Sequence, residues 1–215
     1  MRHFSRHISI AMLWLVVGTA FTARADIVFN NFGPSNAFSD NGRLLQGETV
    51  GTIANVDQAV AFVVGANSYK LTSISLGIFC DTPPNSGTGP LNVVIASDSG
   101  GLPGASLANM VLNVNTTGKQ VVTASFPGTL QLNTNTTYWV IADAQTTFDG
   151  SWNFNSTGDV GNTAGRSNNG PWDLRINDDR MALGVQGTLV PEPASLALVG
   201  AALLALGLSR RQRIA

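Results

Sequence analysis

The chain has 215 residues, is 44% hydrophobic and 12% charged, and carries a formal net charge of −1. Both histidines, His3 and His7, lie at the extreme N-terminus and Cys80 is the single cysteine. The remainder therefore has no imidazole for acid–base work, a Ser-His-Asp triad or an ordinary zinc site, and it forms no intrachain disulfide.

The first predicted element is an address. Residues 1–7, MRHFSRH, are basic, residues 8–22, ISIAMLWLVVGTAFT, are almost all apolar, and Ala23-Arg24-Ala25 follows. A positive start, a short apolar run and small residues at −3 and −1 of a cleavage point make a secretory signal. About 15 apolar residues at 1.5 Å each reach only ~22 Å across a ~30 Å hydrocarbon core. Cleavage by signal peptidase after Ala25, leaving Asp26 at the new N-terminus, is expected in preference to a permanent anchor.

Residues 26–190 then form a single domain, long enough to bury about two thirds of its unfolded surface. Twelve acidic residues stand against six basic ones in this span, a net of −6 with no basic run. That excludes nucleic acid as a partner bound through phosphate neutralisation. Period-2 alternation predicts strands at 26–30, 48–53, 58–65, 69–80, 91–98, 106–114, 119–126, 130–133, 136–144, 151–155 and 181–189. Connectors such as DTPPNSGTGP (81–90) and DSGGLPGA (98–105) carry turn chemistry. The fold class expected is all-β: an antiparallel β-sandwich or jelly roll, flanked by an N-terminal signal helix and a C-terminal transmembrane-like helix. Ile74, Leu76, Ile78 and Cys80 fall on one face of a strand, which makes Cys80 a buried small hydrophobe. Residues 145–180 are polar and poor in alternation, and read as a long loop region.

Three segments of this domain, FNNFGPSNAFSDNG (29–42), ASDSGGLPGASL (96–107) and NTTYWVIADA (135–144), resemble the exported domains called choice-of-anchor R. The resemblance implies an extracellular β-rich domain joined to a C-terminal sorting signal, and it transfers no catalytic residue.

Carboxylates are the catalytic resource left. A glycosidase needs two of them across a sugar, and Glu48, Asp143 and Asp149 are the candidates, though nothing in their spacing makes two converge. The Asp-rich stretches at 40–42 (DNG) and 177–180 (NDDR) offer hard oxygen ligands to calcium, without the alternating Asp spacing of an EF-hand loop. Among the aromatics, Trp139 sits inside an apolar strand and belongs in the core. Trp152 and Trp172 lie in the irregular region, where they either fill the core or stack on sugar rings, with Asp149 near enough in sequence to take a hydroxyl. Asn115, Asn135 and Asn155 each open an Asn-x-Thr pattern and read as turn residues.

The last element is VPEPASLALVGAALLALGLSRRQRIA, residues 190–215. Pro191 and Pro193 interrupt regular structure. The apolar run 194–208 is short for a span, and Arg210, Arg211 and Arg213 behind it snorkel and favour the cytoplasmic side. Pro191-Glu192-Pro193, the apolar run and the basic foot closely resemble the PEP-CTERM protein-sorting signal of Gram-negative bacteria. That resemblance implies recognition by a membrane-embedded exosortase, transient residence in the inner membrane, removal of the tail, and release to the cell surface or beyond. The domains expected are thus 1–25 signal peptide, 26–190 extracellular β domain and 191–215 sorting signal. Three roles remain open for the middle: a structural or binding protein of the cell surface or of a biofilm or exopolysaccharide matrix, without enzymatic activity; a carbohydrate-binding module built on Trp152 and Trp172; and a secreted glycosidase using Asp and Glu alone.

Overall fold

The computed structural model describes residues 25–48, 55–80 and 87–191, and Gly200. The expected signal helix, the strand at 48–53 beyond Glu48, and the tail after Pro191 other than Gly200 lie outside the described residues. Among the described residues no helix is long and apolar enough to cross a membrane.

Among the described residues thirteen strands pair antiparallel throughout. They are β1 (Ala25–Asn30), β2 (Phe38–Gln46), β3 (Val56–Val63), β4 (Tyr69–Cys80), β5 (Gly89–Asp98), β6 (Pro103–Val114), β7 (Gly118–Ser125), β8 (Gln131–Leu132), β9 (Thr137–Ala144), β10 (Asp149–Asn155), β11 (Val160–Ser167), β12 (Asp173–Asp179) and β13 (Leu183–Leu189). The order β1-β13-β4-β10-β2-β3-β9-β5-β6 is continuous, with β7 and β8 beside β4 and with β11 between β3 and β12. This sheet curls on itself into two layers: β1, β13, β4, β7 and β8 form one, β6, β5, β9, β3, β11 and β12 the other, and β10 with β2 joins them.

Residue parity shows what lies between the layers. Ile74, Leu76, Ile78 and Cys80 of β4 and Leu183 and Val185 of β13 meet Val60 and Phe62 of β3, Val93 and Ile95 of β5 and Val140 of β9 in one core, all fully buried. These are alternate residues of each strand, as a half-buried pleat requires. The intervening residues of β3, β5 and β9 are also buried: Ala59, Ala61, Val94, Ala96, Trp139 and Ile141 form a second cluster with Ala164 of β11. The second layer is therefore apolar on both faces, and its outer face is covered in part by Trp172 and Leu174 at the start of β12.

Within 145–180, expected as a long loop region apart from the strand at 151–155, that strand is β10 and two further strands, β11 and β12, follow it. Thr163, Ala164 and Gly165 of β11 are buried between β3 and β12, and such small side chains leave little hydrophobic alternation to read. Asn168 and Asn169 both have positive φ, 55° and 54°, and the Gly170 N–H donates to the Ser167 carbonyl at 2.9 Å, which closes the β11–β12 hairpin with the backbone twist that Asn tolerates. β2 is likewise absent from the alternation. Its Asp-Asn-Gly, considered for calcium, lies within the strand: Gly42 pairs with Asn153 of β10, and a Cβ there would lie 2.5 Å from the Trp152 carbonyl oxygen. The glycine permits close approach of two backbones.

Buried amides pin the end of β10. Asn31 donates to the Met181 carbonyl (3.1 Å) and accepts from the Leu183 N–H (2.7 Å). Asn155 accepts from the N–H groups of Thr157 and Asp159 at 3.0 and 2.9 Å, so it caps the turn after β10.

Candidate functional site

The outer face of the second layer carries a polar row beside its apolar cluster. Asn92 on β5 stands opposite Asp143 on β9. Asp57 on β3 lies one step beyond the Gln58–Ala142 pair with β9 and opposite Arg166 on β11. Four neighbouring strands thus present Asn92, Asp143, Asp57 and Arg166 in line, because cross-strand partners share a face. The members hold one another. Asn109 of β6 donates to the Asn92 amide oxygen (3.1 Å), Asn92 donates to Asp143 (3.1 Å), and Gln145 donates to the other Asp143 oxygen (2.7 Å).

At the far end Arg166 Nε donates to Asp57 at 2.8 Å, and the guanidinium carbon sits 4.5 Å from the centre of the Trp172 ring. Asp57 is 1% exposed and Arg166 24%. Burial pushes the Asp57 carboxyl up to about 6; the Arg166 hydrogen bond and charge oppose that shift and Asp143 adds to it. Its Oδ1 makes no hydrogen bond among the described residues. A carboxylate taken out of water is costly unless paired, and here the pairing fixes Arg166 against Trp172.

The next row, Val94 and Ile141, forms an apolar floor. With Ser106 and Asn109 on one side and Arg166 and Trp172 on the other, it lines an open groove of about 410 Å³. That is within the ~300–1,000 Å³ range of small-molecule sites. Trp139 lies on the same face, fully buried, its indole N–H donating to Asp98 at 2.8 Å.

The raised Asp57 carboxyl has a consequence for stability. Because the folded chain binds this proton more tightly than the unfolded chain, the contribution is greatest below about pH 4 and is lost as pH rises through 6. Acidification from pH 7.5 to 5 is expected to gain about 1 kcal/mol from this group, and Asp57→Asn is expected to remove that gain. Urea midpoints of both proteins at the two pH values check it; an unchanged difference in the variant would contradict it.

The residues singled out in sequence fare differently. Trp172 is half-buried in the groove wall. Trp152, expected either in the core or on a sugar, is in the core: it is fully buried and its indole N–H donates to the Ala182 carbonyl at 2.8 Å, so it offers no ring to a ligand. Asp149 is 6% exposed at the start of β10, opposite Gln46. Trp152 and Asp149 therefore do not join Trp172. Asp143 is in the groove, but its carboxylate neighbour Asp57 lies alongside it in the same row and beneath the surface, not across a cleft. Two of the three carboxylates considered for calcium are engaged by cations, Asp178 by Arg43 (2.9 Å) and Asp40 by Lys119 (2.7 Å), and Asp179 is exposed. Among the described residues no group of three or more metal-ligating side chains occurs. Asn92, Asn109, Asp57 and Arg166 carry no site signal in the sequence, since a polar residue at every second strand position reads as a solvated face.

The first and last strands of the described body lie side by side. Ala25 and Asp26 open β1 opposite Thr188 and Gly187 of β13, so both ends leave from the same end of the same layer. Leu189 pairs with Tyr69, and the Val190 N–H donates to the Ser68 carbonyl at 2.9 Å. Pro191 follows directly. Ala23, Glu192, Pro193, Arg210, Arg211 and Arg213 lie outside the described residues. Residues 189–211 match the family model of the PEP-CTERM protein-sorting motif, which supports a protein exported and sorted by an exosortase to the cell surface or the exterior. No curated protein matches the chain.

Proposed function

We propose that the chain is an exported surface or matrix protein of a Gram-negative cell, cut once by signal peptidase after Ala25 and once by an exosortase near Pro191-Glu192-Pro193. Its 26–190 body, a choice-of-anchor R-like domain, acts by binding or scaffolding within a biofilm or exopolysaccharide matrix and not by catalysis. The inner membrane holds it only between the two cuts, through the 194–208 segment and Arg210, Arg211 and Arg213.

The observation that carries this reading is the match over 189–211, which begins on the last paired residue of β13. The recognition sequence therefore starts where the sheet stops, so a protease can take the tail without unzipping β13 from β4. The lack of any histidine after His7 and the position of Asp57 below the surface, beside Asp143, favour a non-catalytic body.

Deleting the exosortase of the host and following the chain by fractionation tests the reading. The chain is expected to move from the exterior to the membrane fraction with its tail attached. Unchanged release to the exterior in the deletion strain would overturn it.

A further inference from the structure

We propose that the groove on the outer face of the second layer is a saccharide site that takes a stretch of uncharged hexose units from a glycan chain. The proposal rests on the reading of the chain as extracellular, since that is where such a glycan is met.

The groove combines the two chemistries a pyranose ring needs. A sugar ring shows a flat C–H face and a rim of hydroxyls. Val94 and Ile141 supply an apolar floor for the face, while Asn92, Asn109, Ser106 and Asp143 supply polar groups along its edge. A hydroxyl both donates and accepts, and this rim offers both. Asn109 uses one N–H on Asn92, which leaves its second N–H and its amide oxygen without partners among the described residues. The terminal nitrogens of Arg166 likewise form no hydrogen bond among the described residues, because its bond to Asp57 comes from Nε. An Asn amide has two donors and two lone pairs and a guanidinium has five donors, so the row has capacity to spare.

The row is also ordered before any ligand arrives. The hydrogen bonds linking Asn109, Asn92, Asp143 and Gln145, and the clamp of Arg166 between Asp57 and Trp172, fix side chains that otherwise lose rotamer freedom on binding. These side chains are thus ordered on folding and not at the moment of binding.

Charge narrows the class. Asp143 places a carboxylate in the middle of the row, and the Arg166 cation is matched by Asp57 at 2.8 Å. An anionic glycan would meet an unmatched negative charge. The net −6 of residues 26–190 acts in the same direction at longer range. Trp172 has the Arg166 guanidinium over its ring, so it serves as a wall that positions Arg166, and the floor of Val94 and Ile141 takes the sugar face.

The test is calorimetric titration of the full-length chain, in a detergent without a sugar headgroup, against maltohexaose, cellohexaose and hexagalacturonate. Saturable binding of at least one neutral hexaose is expected, with hexagalacturonate at least tenfold weaker. Asn109→Ala and Asp143→Asn are each expected to weaken the neutral ligand about 5–10-fold, the loss of one to two hydrogen bonds. Asn109 is exposed on a strand with a free edge, so its truncation leaves the fold intact, as a thermal melt of the variant verifies. Lys70→Ala, exposed on β4 in the other layer, is expected to bind like the parent. Absence of binding to both neutral hexaoses, tighter binding of hexagalacturonate, or binding indifferent to both groove variants would each overturn the proposal. None of these results bears on export or tail removal, which fractionation and mass report separately.

Discussion

Trp152→Ala is expected to destabilise the domain by about 3–5 kcal/mol, the range for deleting a large aromatic from a packed core. The side chain is fully buried on β10, between β2, where it pairs with Arg43, and β4, where it pairs with Ile78. Truncation leaves a cavity at the junction of the two layers and strips the Ala182 carbonyl of the indole N–H that reaches it at 2.8 Å. A domain of this size is stable by about 5–15 kcal/mol, so the variant loses a large share of its margin. Trp152→Phe keeps most of the volume and loses the hydrogen bond, and is expected to cost about 1–3 kcal/mol. Urea unfolding of the three proteins measures both effects. A loss below about 1 kcal/mol for the alanine variant would contradict the core assignment and return Trp152 to the list of ligand-facing aromatics.

The fate of Trp152 shows where the sequence is readable. The apolar alternation of Ile74, Leu76, Ile78 and Cys80 lies within β4, Tyr69–Cys80, and the continuous apolar run of β9 marks a strand covered on both faces. Period-2 patterning records burial, and burial is what these strands do. Trp152 sits among Ser151, Asn153 and Asn155, and its neighbours are polar because Asn153 and Asn155 bond backbone groups inside the fold. Polarity spent on internal hydrogen bonds looks in one dimension like polarity spent on water. β2 and β11 are hidden for the same reason, with Gly42, Thr163 and Gly165 chosen for close approach more than for hydrophobicity.

The groove was legible only at Trp172 and Asp143. Its remaining members are joined by register: Arg166 reaches Asp57 across 109 residues, and Asn92 reaches Asp143 across 51. A pairing of that range depends on how strands are ordered in the curled sheet, which local alternation does not record. The sorting ends are the reverse case. Their chemistry is written in contiguous residues and needs no tertiary partner, so the order of Pro-Glu-Pro, apolar run and arginines is readable without a structure.

The structure adds a boundary to that reading. β13 is held to β4 through the Leu189–Tyr69 pair and by the Val190 N–H on Ser68. Backbone within a paired strand is inaccessible to a protease, which needs an extended segment. Tail removal is therefore expected to fall after Val190 and within the Pro191–Glu192–Pro193 region, leaving β13 paired with β4 along its whole length. Loss of the apolar run and the basic foot also removes the segment proposed to hold the chain in the inner membrane. Intact-mass measurement of the protein recovered from the medium or matrix tests this most directly. The expected mass begins at Asp26 and ends between residues 190 and 193; a mass that still includes Arg213 would contradict exosortase processing.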